Sequence, residues 1–155
     1  MGRRVPQIAV VGGNDADDRT LELAEKIGSL IASRGAVLVC GGRSGVTEAV
    51  CRGARSAGGL TVGIIPGGEP GEANQYVDVC IASGMGETRN VLIVRSADAV
   101  IALPGKYGTL SEIAYALLLK RPVISLGSWD ISEDITRADT PEEAVELAFG
   151  FCSKP

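Results

Sequence analysis

The sequence predicts an α/β fold, a single doubly wound parallel sheet with helices on both faces, and three observations predict it. Short apolar runs alternate with longer stretches of helical period. The runs are apolar throughout and do not alternate with polar residues, which is the pattern of strands buried on both faces in a parallel sheet. Glycine clusters follow the runs, where such sheets place their ligand loops.

Gln7-Ile8-Ala9-Val10-Val11 reads as the first strand, ending on Gly12-Gly13-Asn14. Leu21, Leu23, Ala24, Ile27, Leu30 and Ile31 then recur at helical spacing, and Gly35 closes that helix. Residues 36–40 are strand two, Gly41-Gly42-Arg43-Ser44-Gly45 is a second glycine loop, and 46–57 is a helix stopped by Gly58-Gly59. Residues 60–65 form strand three, 66–72 a loop by Pro and Gly content, and 76–82 strand four.

Val91-Leu92-Ile93-Val94 suits a buried strand or a buried helix on local grounds. A parallel neighbour needs a crossover, which predicts a helix over 86–96. Residues 98–103 are the fifth strand, and a helix begins near Gly108. Arg121-Pro122 breaks the pattern before strand six at 123–126. Residues 127–138 look irregular, with a short strand near Ile135. Thr140-Pro141-Glu142-Glu143 is a capping box that opens a last helix through Phe149. The arrangement is Rossmann-like, within one domain over residues 1–155.

Composition narrows the function. Apolar residues make up 45% of the chain and aromatics 4%, so the core is aliphatic. A net charge of −4 without a basic run argues against a nucleic-acid partner. No apolar run approaches the roughly 20 residues that span a membrane. Met1-Gly2-Arg3-Arg4 leads straight to a strand and not to a secretory segment, so a cytoplasmic protein is expected. Cys40, Cys51, Cys80 and Cys152 lack metal or disulfide spacing, so buried free thiols and no metal are expected. Histidine is absent, which removes Ser-His-Asp and Cys-His mechanisms.

The stretch Pro104-Gly105-Lys106-Tyr107-Gly108-Thr109-Leu110-Ser111-Glu112, between a strand and a helix, has the make-up of a phosphate cradle. Glycines admit a ligand to the backbone, and the N–H groups and dipole of a helix start favour an anion. The plainer alternative is a tight connection in which Thr109 and Glu112 form a capping box. Gly12, Gly13 and Asn14 can face the same crevice, and so can Gly41, Gly42, Arg43, Ser44 and Gly45. Neither G-x-G-x-x-G nor a Walker sequence is present, which excludes the usual dinucleotide and NTPase sites.

GGRSGVTEAV (41–50), MGETRN (85–90) and ALPGKYGTLSEIAYAL (102–117) together resemble one superfamily. It comprises the LOG (Lonely Guy) cytokinin-activating phosphoribohydrolases and the molybdenum cofactor carrier proteins, once labelled "possible lysine decarboxylase". The resemblance covers nearly the whole chain, and GVTEAV, residues 73–76 and GTLSEIAYAL bring it nearest to the short carrier-like branch. The LOG motif is PGGxGTxxE, preceded by an arginine fifteen residues before its proline, and Arg89 stands fifteen residues before Pro104.

The resemblance implies that Gly105, Gly108 and Thr109 bind phosphate, and that Arg89 and Glu112 are the pair linked to cleavage of an N-glycosidic bond. It also implies a homodimer or homotetramer. Lys106 departs from the motif's second glycine, Arg43 replaces a residue that is often glycine, and Ser111 stands where many LOG enzymes have a further Glu.

Several of these side chains suit two roles each. Lys106 and Arg43 are phosphate contacts or exposed loop charges. Tyr107 stacks on a base or packs at a subunit interface, and Asn14 and Ser44 are ligand donors or turn formers. The expected function is binding of a phosphorylated, nucleotide-like small molecule, a nucleoside monophosphate or a molybdopterin-type cofactor as cargo, with no cofactor required. The alternatives are a LOG-like phosphoribohydrolase and a structural oligomer with a vestigial site.

Overall fold

The computed structural model describes residues 4–152. Met1 to Arg3, on which the reading of the amino terminus partly rested, lie outside the described residues. The strands are β1 (Gln7–Val11), β2 (Val37–Cys40), β3 (Thr61–Ile65), β4 (Val79–Ala82), β5 (Ala99–Ala102), β6 (Val123–Ser125) and β7 (Thr136–Arg137). They form one sheet in the order β4-β3-β2-β1-β5-β6-β7, and every pairing is parallel. β1 is central, with Ile8 opposite Leu38 on one side and Ala99 on the other.

Successive strand residues point to opposite faces, so the apolar runs feed two cores. Ile8, Val10, Leu38 and Cys40 pack under α1 (Asp18–Ser33), α2 (Val46–Ser56) and α5 (Pro141–Cys152). Ala9, Val11, Val39, Val100 and Ala102 pack under α3 (Asn90–Arg95) and α4 (Tyr107–Leu118). This is the doubly wound α/β architecture that the sequence predicts.

The helix ends follow local chemistry. Asp17 caps α1 by accepting from the Thr20 N–H at 2.8 Å, a bond that holds its carboxyl below the usual range. Gly35, at φ +76°, follows the last turn and donates to the Ala32 carbonyl. At α5 the Glu143 N–H donates to Thr140 Oγ1, and its carboxylate accepts from the Asp139 N–H.

Several boundaries differ from the expectation. The helix expected over 86–96 starts as a 3₁₀ turn, Gly86–Arg89, and becomes α-helical at Asn90. Strand four begins at Val79, because Asp78 turns its carboxylate to the N–H and hydroxyl of Thr61. Strand six ends at Ser125, and the short strand expected near Ile135 is β7. Among the described residues no helix is long and apolar enough to cross a membrane.

Candidate functional site

Three loops at the carboxyl edge of the sheet are tied together through Gly13. Its N–H donates to the Pro104 carbonyl at 2.9 Å, and its own carbonyl accepts from the Val46 N–H at 3.0 Å. The contact leaves no room for side chains. A Cβ on Gly45, which sits at φ +66°, would lie 2.3 Å from the Gly13 oxygen. A Cβ on Gly105 would lie 2.0 Å from Thr109 Oγ1 and 2.8 Å from the Gly13 nitrogen.

Above this junction lies a cavity of about 450 Å³. The first loop lines it with Gly12, Gly13 and Asn14, the second with Gly41 and Arg43, and the third with Pro104, Gly105, Lys106, Gly108 and Thr109. Arg89 and Glu112 complete the set of expected residues on its wall. Gly42, Ser44, Gly45 and Tyr107 lie outside the lining. Gly42, at φ +70°, packs on Ile65 and Gly63, and the Ser44 carbonyl accepts from Thr47 Oγ1. Tyr107 is 80% exposed and stacks on Trp129 with ring centroids 6.3 Å apart.

Arg89 is buried where most arginines are solvated. Its Nε donates to the Ile64 carbonyl at 2.8 Å and its Nη2 to the Gly41 carbonyl at 3.3 Å, while Nη1 donates to Asn90 Oδ1. Burial lowers its pKa, and the nearby carboxyls of Glu112 and Glu87 oppose that shift. Backbone carbonyls of β3 and of the second loop thus fix the guanidinium at the cavity wall.

α4 begins at Tyr107, and its N-cap residue, Lys106, makes no side-chain cap. The capping box proposed for Thr109 and Glu112 is therefore absent: both residues lie too far inside the helix to cap it. Glu112 is 8% exposed, lines the cavity and forms no ion pair with Arg89 among the described residues. Burial pushes its carboxyl up to about 8, and Arg89 only partly offsets this. A carboxyl at about 8 is mostly protonated at neutral pH.

Lys106 does not enter the cavity floor. Its ammonium stands 3.6 Å from the Asp15 carboxylate at the mouth, with both side chains more than four-fifths exposed. The loop beneath is held by Trp129, whose Nε1 donates to the carbonyls of Gly105 at 3.0 Å and Lys106 at 3.1 Å. Ser111 donates to the Gly108 carbonyl and accepts from Asn90 Nδ2 at 3.0 Å, so it braces the loop and turns away from ligand space.

Sequence reasoning missed Asp15, Asp17, Thr47, Glu87 and Asn90, all of which line the cavity, and Trp129 behind it. Glu87 and Asn90 were within reach, since they flank Arg89 in MGETRN. Trp129 gives no such signal, because it lies in an irregular stretch and acts through a bond to backbone. Beneath the second loop Cys40 and Cys51 are free buried thiols with sulfurs 3.4 Å apart. Cys80 and Cys152 are half-buried, and the Cys152 thiol donates to the Ala148 carbonyl at 3.3 Å. Among the described residues no cluster of three or more acidic or thiol groups could hold a metal ion.

This geometry can be set beside known proteins. The molybdenum cofactor binding protein of Rippkaea orientalis has the same fold with a TM-score of 0.92 and 38% identity, over 98% of this chain and 100% of that one. The molybdenum cofactor carrier protein of Chlamydomonas reinhardtii superposes with a TM-score of 0.89 and 31% identity, over 97% and 100%. The cytokinin riboside 5'-monophosphate phosphoribohydrolase of Mycobacterium tuberculosis is 34% identical over 122 residues, 70% of this chain and 63% of that protein. The SLOG cluster4 family model matches residues 5–149, a span that takes in all three loops and both Arg89 and Glu112. The chain therefore belongs to the SLOG cluster4 family, in the superfamily shared by LOG phosphoribohydrolases and molybdenum cofactor carrier proteins.

Proposed function

We propose that this chain binds a phosphorylated, nucleotide-like small molecule, with the phosphate on the start of α4 and the remainder along the carboxyl edge of the sheet. The observation that supports this reading is the meeting of the α4 amino terminus and the fixed guanidinium of Arg89 on one cavity. The first N–H groups of α4 have no partner within the helix, and the helix dipole adds to their pull on an anion. The two solved structures compared above are named for molybdenum cofactor, which favours a molybdopterin-type cargo over a nucleoside monophosphate. No further cofactor is needed to hold such a ligand.

Thermal unfolding of the whole chain tests the reading. Ribose 5-phosphate, AMP and a pterin phosphate should raise Tm saturably, and Thr109→Val should weaken that response at least about ten-fold, as loss of a charge-assisted hydrogen bond does. No response to any of the three would overturn it.

Glu112 favours a second reading, a LOG-like phosphoribohydrolase. Its protonated carboxyl would pass its proton to the leaving base nitrogen as the N-glycosidic bond breaks, and the resulting carboxylate would take a proton back from the water that adds to the sugar carbon, giving free base and ribose 5-phosphate. Release of ribose 5-phosphate from AMP, lost in Glu112→Gln, would establish turnover; no release from wild type leaves binding alone.

The reading extends to a homodimer or homotetramer, supported by apolar side chains left open on α4. Leu118 is 74% and Tyr115 41% exposed. On the same reading neither nucleic acid nor membrane is a partner.

A further inference from the structure

A second cavity, of about 390 Å³, opens between the loop after β2 and the loop after β3, and Arg43 lines both it and the first cavity. Ile65, Pro66, Gly67 and Glu72 line it together with Arg43, whose Nη1 also donates to Glu87 Oε1 at 3.3 Å. The walls are braced. The carbonyls of Pro66 and Gly67 accept from the N–H groups of Gly86 and Gly84, at 3.0 and 2.9 Å. Asn74 Nδ2 donates to the Arg43 carbonyl at 2.8 Å.

Glu72 closes a 3₁₀ turn, its N–H donating to the Glu69 carbonyl, and its carboxylate rests on the bare Cα of Gly67. A Cβ there would lie 1.8 Å from Glu72 Oε2. Among the described residues nothing donates to that carboxylate. The site thus sets an exposed carboxylate that accepts no hydrogen bond among the described residues beside a guanidinium, next to apolar Ile65 and Pro66. That guanidinium's Nη1 pairs with Glu87 at 3.3 Å, and its other N–H groups face no acceptor among the described residues.

Neighbouring strands are about 4.8 Å apart. The α4 start, over β5, is then two to three strand spacings, roughly 10–14 Å, from the space between β2 and β3. A flat heterocycle joined to a phosphate through a sugar or a short side chain covers that span.

We infer that this second cavity is a subsite for a 2-amino-4-oxo-pyrimidine edge, the edge shared by guanine and the pterins, in the ligand whose phosphate sits at α4. The ring N–H and the exocyclic amine of that edge are adjacent donors that match both oxygens of Glu72. Its carbonyl accepts from Arg43, while the ring plane lies on Pro66. Adenine sets a ring acceptor beside its amine and offers the carboxylate one donor only. The inference rests on the phosphate reading above, and it narrows the ligand class within it.

Calorimetry on the whole chain at neutral pH separates the two. The probes are ribose 5-phosphate, AMP, GMP and neopterin monophosphate. GMP or neopterin monophosphate should bind at least about ten-fold more tightly than AMP, the discrimination that a bidentate pair supplies. Whichever of the two is tighter identifies the source of the edge. Glu72→Gln should bring that ligand to within about two-fold of AMP. Gly67→Ala should do the same by displacing the carboxylate without changing charge, and both variants should keep wild-type affinity for ribose 5-phosphate, which shows that they are folded. Equal binding of AMP, GMP and neopterin monophosphate, or a preference that survives both substitutions, overturns the inference alone. Failure of ribose 5-phosphate and every other probe to bind overturns the phosphate reading and the inference with it.

Discussion

Glu112 reaches the cavity wall from the second turn of α4, and burial decides its chemistry. Its carboxyl titrates near 8 in the folded protein, against 4.5 when unperturbed. The folded state therefore holds the proton more tightly than the unfolded chain. Its contribution to stability is fully present below about pH 4.5, falls by about 1.4 kcal/mol per pH unit as pH rises toward 8, and is level above that. Denaturant unfolding from pH 5 to 9 should show wild type losing stability relative to Glu112→Gln across that window; parallel curves would refute a buried neutral acid. Ionisation also sets a negative charge beside the proposed phosphate seat, so affinity for phosphorylated ligands should drop above about pH 8 in wild type and not in the variant. The motif points to Glu112 by position, but its environment was not legible. Thr109-x-x-Glu112 has the spacing of a capping box, and only the start of the helix at Tyr107 shows that it is not one.

Among the elements, α1 and α2 show how closely the site's supports are packed. A Cβ on Gly28 of α1 would meet the Val50 carbonyl at 2.0 Å, and one on Gly53 of α2 would meet the Glu25 carbonyl at 1.9 Å. The two helices cross backbone against backbone, which fixes α2 and the loop that precedes it. Alanine ordinarily stabilises a helix by up to about 1 kcal/mol over glycine. Here Gly53→Ala should cost about 1–3 kcal/mol, the range of overpacking, in chemical denaturation; a stabilised variant would show that the crossing can relax. Helical period revealed α1 and the Gly58-Gly59 stop bounded α2, but a glycine in a helical run says nothing by itself about which partner backbone it admits. The crossover argument did place a helix at 91–94, because chain topology settled what four apolar residues could not. Trp129 was illegible for the opposite reason, since its role depends on a loop position that no period encodes.

At the scale of the whole molecule, one face of the sheet is less covered than the other. Three helices shield one side, while α3 and α4 leave Val79 and Ile81 of edge strand β4 open, 45% and 47% exposed, with Leu118 and Tyr115. Exposed apolar area of this kind supports the proposed oligomer. Leu118→Asp should lower the mass of the particle seen by light scattering while leaving circular dichroism unchanged; a wild-type monomer would remove the oligomer from the proposal. The sheet order follows from the same apolar runs that the sequence displays, whereas the open face depends on which residues remain after the helices dock.

The central place of β1 also sets an order in time. Its neighbours are β2, some thirty residues on, and β5, some ninety residues on, and Gly13 bonds to the loops that follow both. A chain emerging from the ribosome can close the first pairing early, but the second waits until β5 and the start of α4 have been made. Until then the first and second loops make only part of the cavity wall, and the start of α4, with Thr109 and Glu112, arrives as its last part.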